Sequence, residues 1–387
     1  MKNIIILGAT GSIGDSVLSV IKQNKDKLNL FGITFNSNFN KASSIINEFN
    51  LKNVYTDSSE SSSYFRHTFK NNSEFNIFSD KSELEEMLNS DQVDIIVSAI
   101  SGFAGLESTI LAAKTGKTIL LANKESIVVA GEIVLPLAKK YNTKIIPIDS
   151  EHNAIFQCLD SEKSTDDVSK IIITASGGPF LNKSISQLTK VTKNEALNHP
   201  NWEMGAKITI DSASLVNKCL ELIEARYLFN LNEKFFDLVV HPQSIIHSIV
   251  TYQDGSSICQ MSNPDMRVPI AHALSVNDKR LNLNFSEIDF SSLQLTFQNI
   301  PEDRLGIIDI ARYVCSYGGS SGIIFNAANE VAVQNFLEEK ITFDKIYEVI
   351  YRTFDTIPMS KNIDIERIYE IDNQTRREAK KVVKSIT

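Results

Sequence analysis

Asp149-Ser150-Glu151-His152-Asn153 follows directly on a short apolar run, Lys144–Ile148. If the extended backbone of that run continues, Asp149 and Glu151 point to one face, because side chains alternate along a strand. Two carboxylates on one face repel unless a cation lies between them, and an all-oxygen pair suits a hard divalent ion. A solvated loop or a helix N-cap would use the same residues. A second acidic group is Asn217-Lys218-Cys219-Leu220-Glu221-Leu222-Ile223-Glu224. On a helix Asn217, Lys218 and Glu221 share one side, and Glu224 extends it by a turn. An internal Lys–Glu pair, worth a few tenths of a kcal/mol, would account for Lys218 and Glu221. It leaves the preceding Asp211-Ser212-Ala213-Ser214 unexplained.

A glycine-rich turn, Gly8-Ala9-Thr10-Gly11-Ser12-Ile13-Gly14, follows the first apolar run and opens a helical stretch. Glycines allow the tight turn and let the backbone approach a pyrophosphate, and the helix N-terminus offers free N–H groups to that anion. The spacing is GxxGxxG rather than GxGxxG, so an ordinary strand–helix turn is the competing reading. Its place at the chain start, ahead of a strand–helix alternation, favours a dinucleotide. An NAD site is expected to carry an acid near the end of the second strand. Here that stretch is Thr34-Phe35-Asn36-Ser37-Asn38, with no acid before Glu48, which points to NADP. Ser37 occupies the spot expected for a cation, and Lys41 lies a few residues on.

Three further segments suit anion or lid chemistry. Thr174-Ala175-Ser176-Gly177-Gly178-Pro179 ends a strand-like run with an N–H-rich turn and a hydroxyl, fit for a phosphate. His199-Pro200-Asn201-Trp202-Glu203-Met204-Gly205 holds the one tryptophan of the chain in a polar stretch, either as core or as a cap over a site. His241-Pro242-Gln243-Ser244-Ile245-Ile246-His247 runs along a strand, each histidine a structural hydrogen-bonder or a site group.

These residues need a scaffold, and its class is legible. In residues 1–150, strand candidates (Asn3–Leu7, Leu28–Phe35, Asp94–Ala99, Thr118–Leu121, Lys144–Pro147) alternate with helical patterns (Asp15–Gln23, Lys81–Leu88, Gly105–Lys114). That alternation predicts a parallel sheet with helices on both faces. The serine-rich Ser58–Ser63 reads as a surface loop. From Asp149 to about Ala273, strands are expected at Lys170–Thr174, Lys207–Ile210, Asp237–Val240 and Ser244–Tyr252, within a region dense in polar residues. The alternation of Leu281, Leu283 and Phe285 suggests an edge strand or a connector. After Pro301 the pattern is helical (Leu305–Tyr317, Asn326–Leu337, Phe343–Phe354, Ile365–Lys384), a small C-terminal bundle. Its cationic cluster, Arg376, Arg377, Lys380, Lys381 and Lys384, reads as a solvated helix face.

At 387 residues the chain exceeds a single core and predicts two or three domains. Hydrophobic residues at 42% and charged residues at 22% exclude a disordered chain. A net charge of −8, with no block of like charge, argues against nucleic acid as the main partner. No apolar run is long enough to span a membrane. Four cysteines, Cys158, Cys219, Cys259 and Cys315, form no CxxC pair and no disulfide framework, which with the strand-like first residues suggests a reducing, cytoplasmic setting.

Taken together and in order, GATGSIG (8–14), LANKES (121–126), DSEHNAIFQ (149–157), TASGGPF (174–180), HPNWEMG (199–205), DSASLVNKCLELIEA (211–225), HPQSIIHS (241–248), NPDMRVPIAHA (263–273) and NAANEVAV (326–333) resemble one family across nearly the whole chain. It is the 1-deoxy-D-xylulose 5-phosphate reductoisomerases, NADPH- and metal-dependent enzymes of the methylerythritol phosphate route to isoprenoids. The resemblance implies an α/β protein with a Rossmann-like NADP-binding domain (1–149), an α+β catalytic domain with a mobile flap (150–275), a connector (276–300) and a C-terminal helical domain (301–387). It implies Asp149, Glu151 and Glu221 as ligands of Mg2+ or Mn2+. Thr10, Gly11, Ser12, Ile13 and Gly14 would hold the NADPH pyrophosphate, with Asn38, Asn123, Glu125 and Gly205 as further cofactor contacts. Lys124 and Ser150 would reach the substrate. Ser176, His199, Ser212, Asn217 and Lys218 would enclose its phosphate, Trp202 would close over it, and His247 would line the cavity. Glu151, Lys124 and His247 are the expected catalytic residues, and a homodimer is implied. Two positions depart from the family pattern: Ser37 stands where a basic residue is common, and Cys219 where glycine is usual.

Two other readings compete. A plain NADP-dependent dehydrogenase, such as a thiol-dependent semialdehyde enzyme, needs a reactive Cys158 or Cys219. An NADP-sensing binding protein needs no metal and leaves the acidic cluster without a purpose.

Overall fold

In the computed structural model, residues 1–69, 74–160 and 165–387 are described, and the chain divides into two units. The first comprises residues 1–123, 134–149 and 266–285; the second comprises 124–133, 150–265 and 286–387.

In the first unit the order is β1 (Lys2–Leu7), α1 (Ser12–Gln23), β2 (Leu28–Thr34), α2 (Phe39–Phe49), β3 (Asn53–Tyr55), α3 (Ser59–Thr68), β4 (Asn76–Phe78), α4 (Lys81–Asn89), β5 (Ile95–Ser98), α5 (Leu106–Ala113), β6 (Thr118–Leu121), α6 (Lys124–Lys140) and β7 (Lys144–Pro147). The seven strands stand in the order β4-β3-β2-β1-β5-β6-β7. Every pairing is parallel, Ile4 to Leu7 lying beside Ile95 to Ser98. Ile4, Ile5, Ile6 and Leu7 are all fully buried, as a strand covered on both faces demands. The strand order reverses between β1 and β5, the switch point at which open α/β sheets bind ligands beyond the strands' carboxyl ends.

Local chemistry sets several of these boundaries. α4 starts where it does because Asp80 and Glu83 form a capping box. The serine-rich stretch expected as a loop is instead helix α3. Ser58 caps it by accepting the Ser61 N–H, and Phe65 anchors it in the core. Serines that favour loops alone also favour N-caps, and a buried aromatic one turn on decides between the two.

The second unit continues with α7 (Ser150–Asp160), β8 (Val168–Ala175), α8 (Lys193–Leu197), α9 (Ala206–Ala213), α10 (Val216–Leu228), β9 (Phe236–Val240), β10 (Ile246–Tyr252) and β11 (Ser257–Met261). After α11 (Arg267–Leu274), which packs on α1 and β6 in the first unit, come α12 (Leu305–Tyr317), α13 (Ser321–Leu337), α14 (Lys345–Thr356) and α15 (Ile365–Ile386). The sheet order is β11-β10-β8-β9, with β8 and β9 parallel and the other pairs antiparallel. α7 lies against β10 and β11, α10 against α12, and α13 against α14 and α15. α13 is apolar nearly all round and is buried accordingly, whereas α14 and α15 carry one apolar face each.

Two sequence expectations change here, at residues 207–210 and at Arg376, and some strands form that were not expected. Lys207–Ile210, expected as a strand from its alternation, lies inside α9, where Lys207 pairs with Asp211 one turn on and Thr209 Oγ1 bonds back to the Gly205 carbonyl. β3, β4 and β11 were not anticipated. Of the two readings for residues 281–285, an edge strand or a connector, the strand is not formed, and residues 276–300 carry only the single bridge of Gln298 to Val240. Within the cationic cluster of α15, Arg376 is not simply solvated, because it pairs with both Glu330 and Asp372.

The first half of α6, Lys124–Ile133, belongs to the second unit, and two glycines set its position there. A Cβ on Gly131 would meet the Tyr227 ring at 2.8 Å, and one on Gly322 would meet the Val128 carbonyl at 2.1 Å. α6 therefore seats its backbone directly on α10 and α13.

Candidate active site

α7 begins at Ser150, so the extended run expected through Glu151 stops at Asp149. Strand alternation is not what aims Glu151; its place in the first turn of a helix is, where the dipole favours an acid. The Ser248 hydroxyl, on β10, donates to the Glu151 carbonyl at 3.0 Å and fixes that turn. Glu221 comes from the second turn of α10. Between α9 and α10 Leu215 takes φ 63°, a left-handed conformation that costs a leucine about 1–2 kcal/mol. That sharp reversal lets Asp211 to Ser214 and Asn217 to Glu221 stand on consecutive helices.

Glu151 and Glu221 meet, with carboxylate oxygens within 4.8 Å of each other. Lys218 Nζ donates to both, at 2.8 Å to Glu151 and 2.5 Å to Glu221. Lys124, at the start of α6, donates to Asn217 Oδ1 at 2.9 Å and lies 3.3 Å from Glu221 Oε1. Ser150 Oγ donates to Glu151 Oε2 at 2.6 Å. Glu221 is fully buried, and both lysines are within 5% of it. Burial pushes the Glu151 carboxyl up, but the Lys218 ammonium outweighs it and holds the acid at about 2. Glu151 is therefore a carboxylate at neutral pH. The same two acids raise the Lys218 ammonium against the opposing effect of burial.

Beneath this network lies a residue that the sequence gave little reason to single out. His152 is wholly buried, its Nδ1 3.0 Å from Glu224 Oε2 and its Nε2 2.9 Å from the Glu221 carbonyl oxygen. A carbonyl only accepts, so the pattern assigns a proton to Nε2 and ties the α10 backbone at Glu221 to α7. The one sequence signal for His152 was its position beside Glu151.

The glycine turn after β8 and the tryptophan segment come together as well. Gly178 has φ 65°, and a Cβ there would lie 2.9 Å from Ala213 Cα and 3.1 Å from the Ser212 carbonyl. Only glycine lets this turn lie against the end of α9, which brings Ser176 and Ser212 into one neighbourhood. His199 Nδ1 accepts the N–H groups of Asn201 (3.1 Å) and Trp202 (3.0 Å). The ring proton is thereby assigned to Nε2, which donates to Ser176 Oγ at 2.9 Å. Ser176 Oγ also accepts the Gly178 N–H at 3.2 Å, leaving its own hydrogen as a donor for an incoming oxygen. Asn201 Nδ2 binds the Pro242 carbonyl and Ser244 Oγ, anchoring the segment on the β9–β10 turn. Trp202, half-buried, lies 5.9 Å from the His247 ring, and His247 Nε2 meets Ser262 Oγ at 2.9 Å.

In the first unit, α1 starts at Ser12 behind Gly11 with no side-chain cap, so its first-turn N–H groups are presented without a side-chain acceptor. Gly14 lets α1 close on the turn, since a Cβ would sit 2.2 Å from the Ala9 carbonyl. Gly11 and Ser12 are exposed and Thr10 and Ile13 partly so. Asn38 caps α2, and Lys41 Nζ lies 3.0 Å from the Thr10 carbonyl and 2.6 Å from Asp15. Asn123 is buried and donates to the Gly102 carbonyl at 2.9 Å. The cysteines do not form a reactive centre. Cys219 is buried with Sγ against the Ile307 carbonyl, and burial raises both its thiol and that of Cys158, the latter to about 11.

A doubly wound sheet with an uncapped glycine turn, and a second unit with paired buried carboxylates, define a dinucleotide-dependent oxidoreductase with a cation-type acidic centre. Residues 4–131 match the family model for 1-deoxy-D-xylulose 5-phosphate reductoisomerase, 145–229 that for its C-terminal domain, and 261–378 that for the DXP reductoisomerase C-terminal domain. A 1-deoxy-D-xylulose 5-phosphate reductoisomerase of Vesicomyosocius okutanii is 42% identical over 99% of both chains. A crystal structure of DOX-P reductoisomerase in complex with NADPH, fosmidomycin and magnesium has a TM-score of 0.91 and 39% identity, covering 99% of this chain and 98% of that one. The Zymomonas mobilis enzyme in complex with NADPH has a TM-score of 0.91 and 37% identity, covering 99% of each chain. The chain belongs to the 1-deoxy-D-xylulose 5-phosphate reductoisomerase family, and it is an enzyme of that oxidoreductase and isomerase class. Among the described residues no helix is long and apolar enough to cross a membrane.

Burial holds the His199 imidazole at about 4, below its ordinary 6.5. The neutral ring is thus the folded form, and its contribution is complete above pH 6.5 and lost as pH falls through 4. The difference in unfolding free energy between the wild type and His199→Asn should be constant above pH 6.5 and shrink by up to about 2 kcal/mol toward pH 4, allowing for the ring's partial exposure. Denaturant melts across that range check it; a difference that does not change with pH would contradict the neutral ring described here.

Proposed function

We propose that the chain rearranges 1-deoxy-D-xylulose 5-phosphate and reduces it to 2-C-methyl-D-erythritol 4-phosphate with NADPH, using Mg2+ or Mn2+ held by Asp149, Glu151 and Glu221. The observation that carries this reading is the meeting of Glu151 and Glu221 in one buried network with Lys218 and Lys124. Two oxygen-only donors this close, Glu151 ionised at neutral pH and Glu221 fully buried beside it, fit a hard divalent ion. Asp149 adds a third carboxylate by chain position, being joined to Ser150 by a peptide bond. When bound, the ion supplies a Lewis acid for the adjacent keto and hydroxyl oxygens of the ketose, and NADPH supplies the hydride that reduces the rearranged aldehyde.

The chain's own residues bind, orient and exclude water. Lys218, Asn217, Ser212, Ser176 and His199 receive the phosphate, with the Ser176 hydroxyl hydrogen and the Lys218 ammonium as donors. Binding energy from that remote group orients the reacting carbons. Ser150 and Lys124 contact the substrate oxygens, and Glu151, ionised at neutral pH, accepts a proton from a substrate hydroxyl. Trp202 closes against His247 and shields the aldehyde from water. Thr10, Gly11, Ser12, Ile13 and Gly14 take the pyrophosphate on the uncapped end of α1. Asn38, Asn123, Glu125 and Gly205 complete the cofactor contacts. With Ser37 uncharged, Lys41 at the Thr10 carbonyl is the cation for the 2′-phosphate. A thiol-dependent dehydrogenase is disfavoured by the buried, raised thiols of Cys158 and Cys219.

A homodimer is part of the same reading. β11 is an edge strand, uncharged (Ser-Ile-Cys-Gln-Met), with Ile258 exposed. Unpaired edge groups without a guarding charge suit pairing with a second copy.

Glu221→Gln should lower turnover of the ketose phosphate by at least about 100-fold while NADPH still binds, and Lys218→Ala should act mainly on the substrate KM. NADPH oxidation with and without Mg2+ or Mn2+ measures both; full activity of Glu221→Gln would remove that residue from the cation site. Lys41→Ala should cost about tenfold in kcat/KM for NADPH, the worth of one charge-assisted hydrogen bond, with no loss for NADH; an equal loss for both would place the 2′-phosphate elsewhere. Ile258→Lys should convert a dimer to a monomer in light scattering, and an unchanged mass would show that β11 is not the interface.

A further inference from the structure

One buried cation in the second unit belongs to none of the roles above. Lys207 is the second residue of α9, and its Nζ lies 2.6 Å from Glu125 Oε1 on α6 and 2.8 Å from Asp211 Oδ2 one turn on. Asp211 Oδ1 in turn accepts Asn329 Nδ2 of α13 at 2.8 Å. The two carboxylates are at most 4% exposed and the lysine about one-fifth. Burial opposes the ammonium, but Asp211 and Glu125 outweigh it and keep Lys207 charged. One cation thus neutralises two buried acids from separate helices, and α13 buttresses the second of them. Without the cation, both acids would face a low-dielectric surround with no counter-charge on α9.

The neighbours of each partner give this chain of contacts its meaning. Glu125 follows Lys124, whose ammonium holds Asn217 and Glu221. Asp211 precedes Ser212, whose carbonyl lies where the Gly178 turn packs. On the N-terminal side of Lys207, Gly205 is exposed and extended (φ −62°, ψ 151°), and a Cβ placed there would meet nothing within 4 Å. Before it run His199, Asn201 and Trp202. The open space at the Gly205 α-carbon and the clamped point at Lys207 are two residues apart.

We propose that Lys207 is a positioning residue for the reaction: it locks the first turn of α9 to the start of α6, so that the segment 199–205 closes against a fixed post and Lys124 and Ser212 keep their spacing. This rests on the site reading given above. In that reading Lys207 has no contact of its own with substrate or cofactor; it acts through Glu125, a cofactor contact there, and through Asp211. Misplacing substrate-holding groups by an ångström can cost 100-fold in rate, so the effect belongs in kcat and in closure rather than in cation affinity.

The test compares wild type, Lys207→Met and Lys207→Arg as full chains with NADPH, Mg2+ and the ketose phosphate. The lone tryptophan, Trp202, makes its fluorescence a reporter of the closing segment. Lys207→Met should lower kcat by about 30-fold or more and diminish the Trp202 change on adding substrate. The Mg2+ concentration for half-activation should move less than about twofold, since the acid pair at Glu151 is untouched. Lys207→Arg, which keeps the charge, should restore both signals. If Lys207→Met does not fold, Lys207→Gln, neutral but still able to donate to both acids, takes its place with the same expectations. A variant with a lower Tm but wild-type kcat and a wild-type Trp202 response would overturn the proposal and leave Lys207 merely structural. An inactive wild type would instead overturn the function proposed above, so the two failures are distinct.

Discussion

Charge buried without its counter-charge is what this fold has to avoid, and the second unit is arranged around that constraint. Glu151 and Glu221 are acids in a region where an isolated ion would be prohibitively costly. Lys218 lies between them and Lys124 lies beside Glu221. Each of these side chains is placed by a different structural device. Glu151 stands in a helix first turn pinned by Ser248, Glu221 follows a reversal through a left-handed leucine, and Lys124 starts a helix seated on its neighbours by Gly131 and Gly322. Lys218 is the shared member: removing it would take the nearest ammonium from Glu151 and leave Glu221 with Lys124 at 3.3 Å, so the two acids depend on one lysine together.

The same economy recurs at Lys207, where one ammonium serves Glu125 and Asp211, and at His199, where one neutral ring accepts two N–H groups and donates to a serine. These are different solutions to one demand. A site that must receive a phosphate, a ketose and a divalent ion needs polar groups in quantity, and burial tolerates them only when each has a partner. The polar density between Asp149 and Ala273, visible in the sequence as a change of texture, is the record of that demand.

How far the sequence could be read depended on the range of the interaction concerned. The glycine turn, five strands of the first unit (all but the three-residue β3 and β4) and the helices after Pro301 were legible because each is set by spacing within a few residues. Residues 207–210 were misread because Lys-Ile-Thr-Ile alternates like a strand. The helix prevails through Gly205, the Lys207–Asp211 pair one turn apart and the buried ladder to Glu125 and Asn329, of which only the pair is local. Ser58–Ser63 was misread for a related reason, since a serine cluster becomes a helix start only when Phe65 finds a core. Carboxylates in suitable numbers were visible at 149, 151 and 221, but alternation along a strand was the wrong device for aiming Glu151.

From the sequence alone came the kinds of chemistry present, the periodicities of the elements and, through nine ordered motifs, the family. Which acid meets which base was decided only in three dimensions. Lys218 and Glu151 are 67 residues apart, Lys207 and Glu125 82, and Lys124 and Glu221 97. Nothing in local spacing encodes such pairings. They arise when helices pack at distances set by glycine contacts and apolar faces, and the buried charges then take the partners that packing leaves within reach.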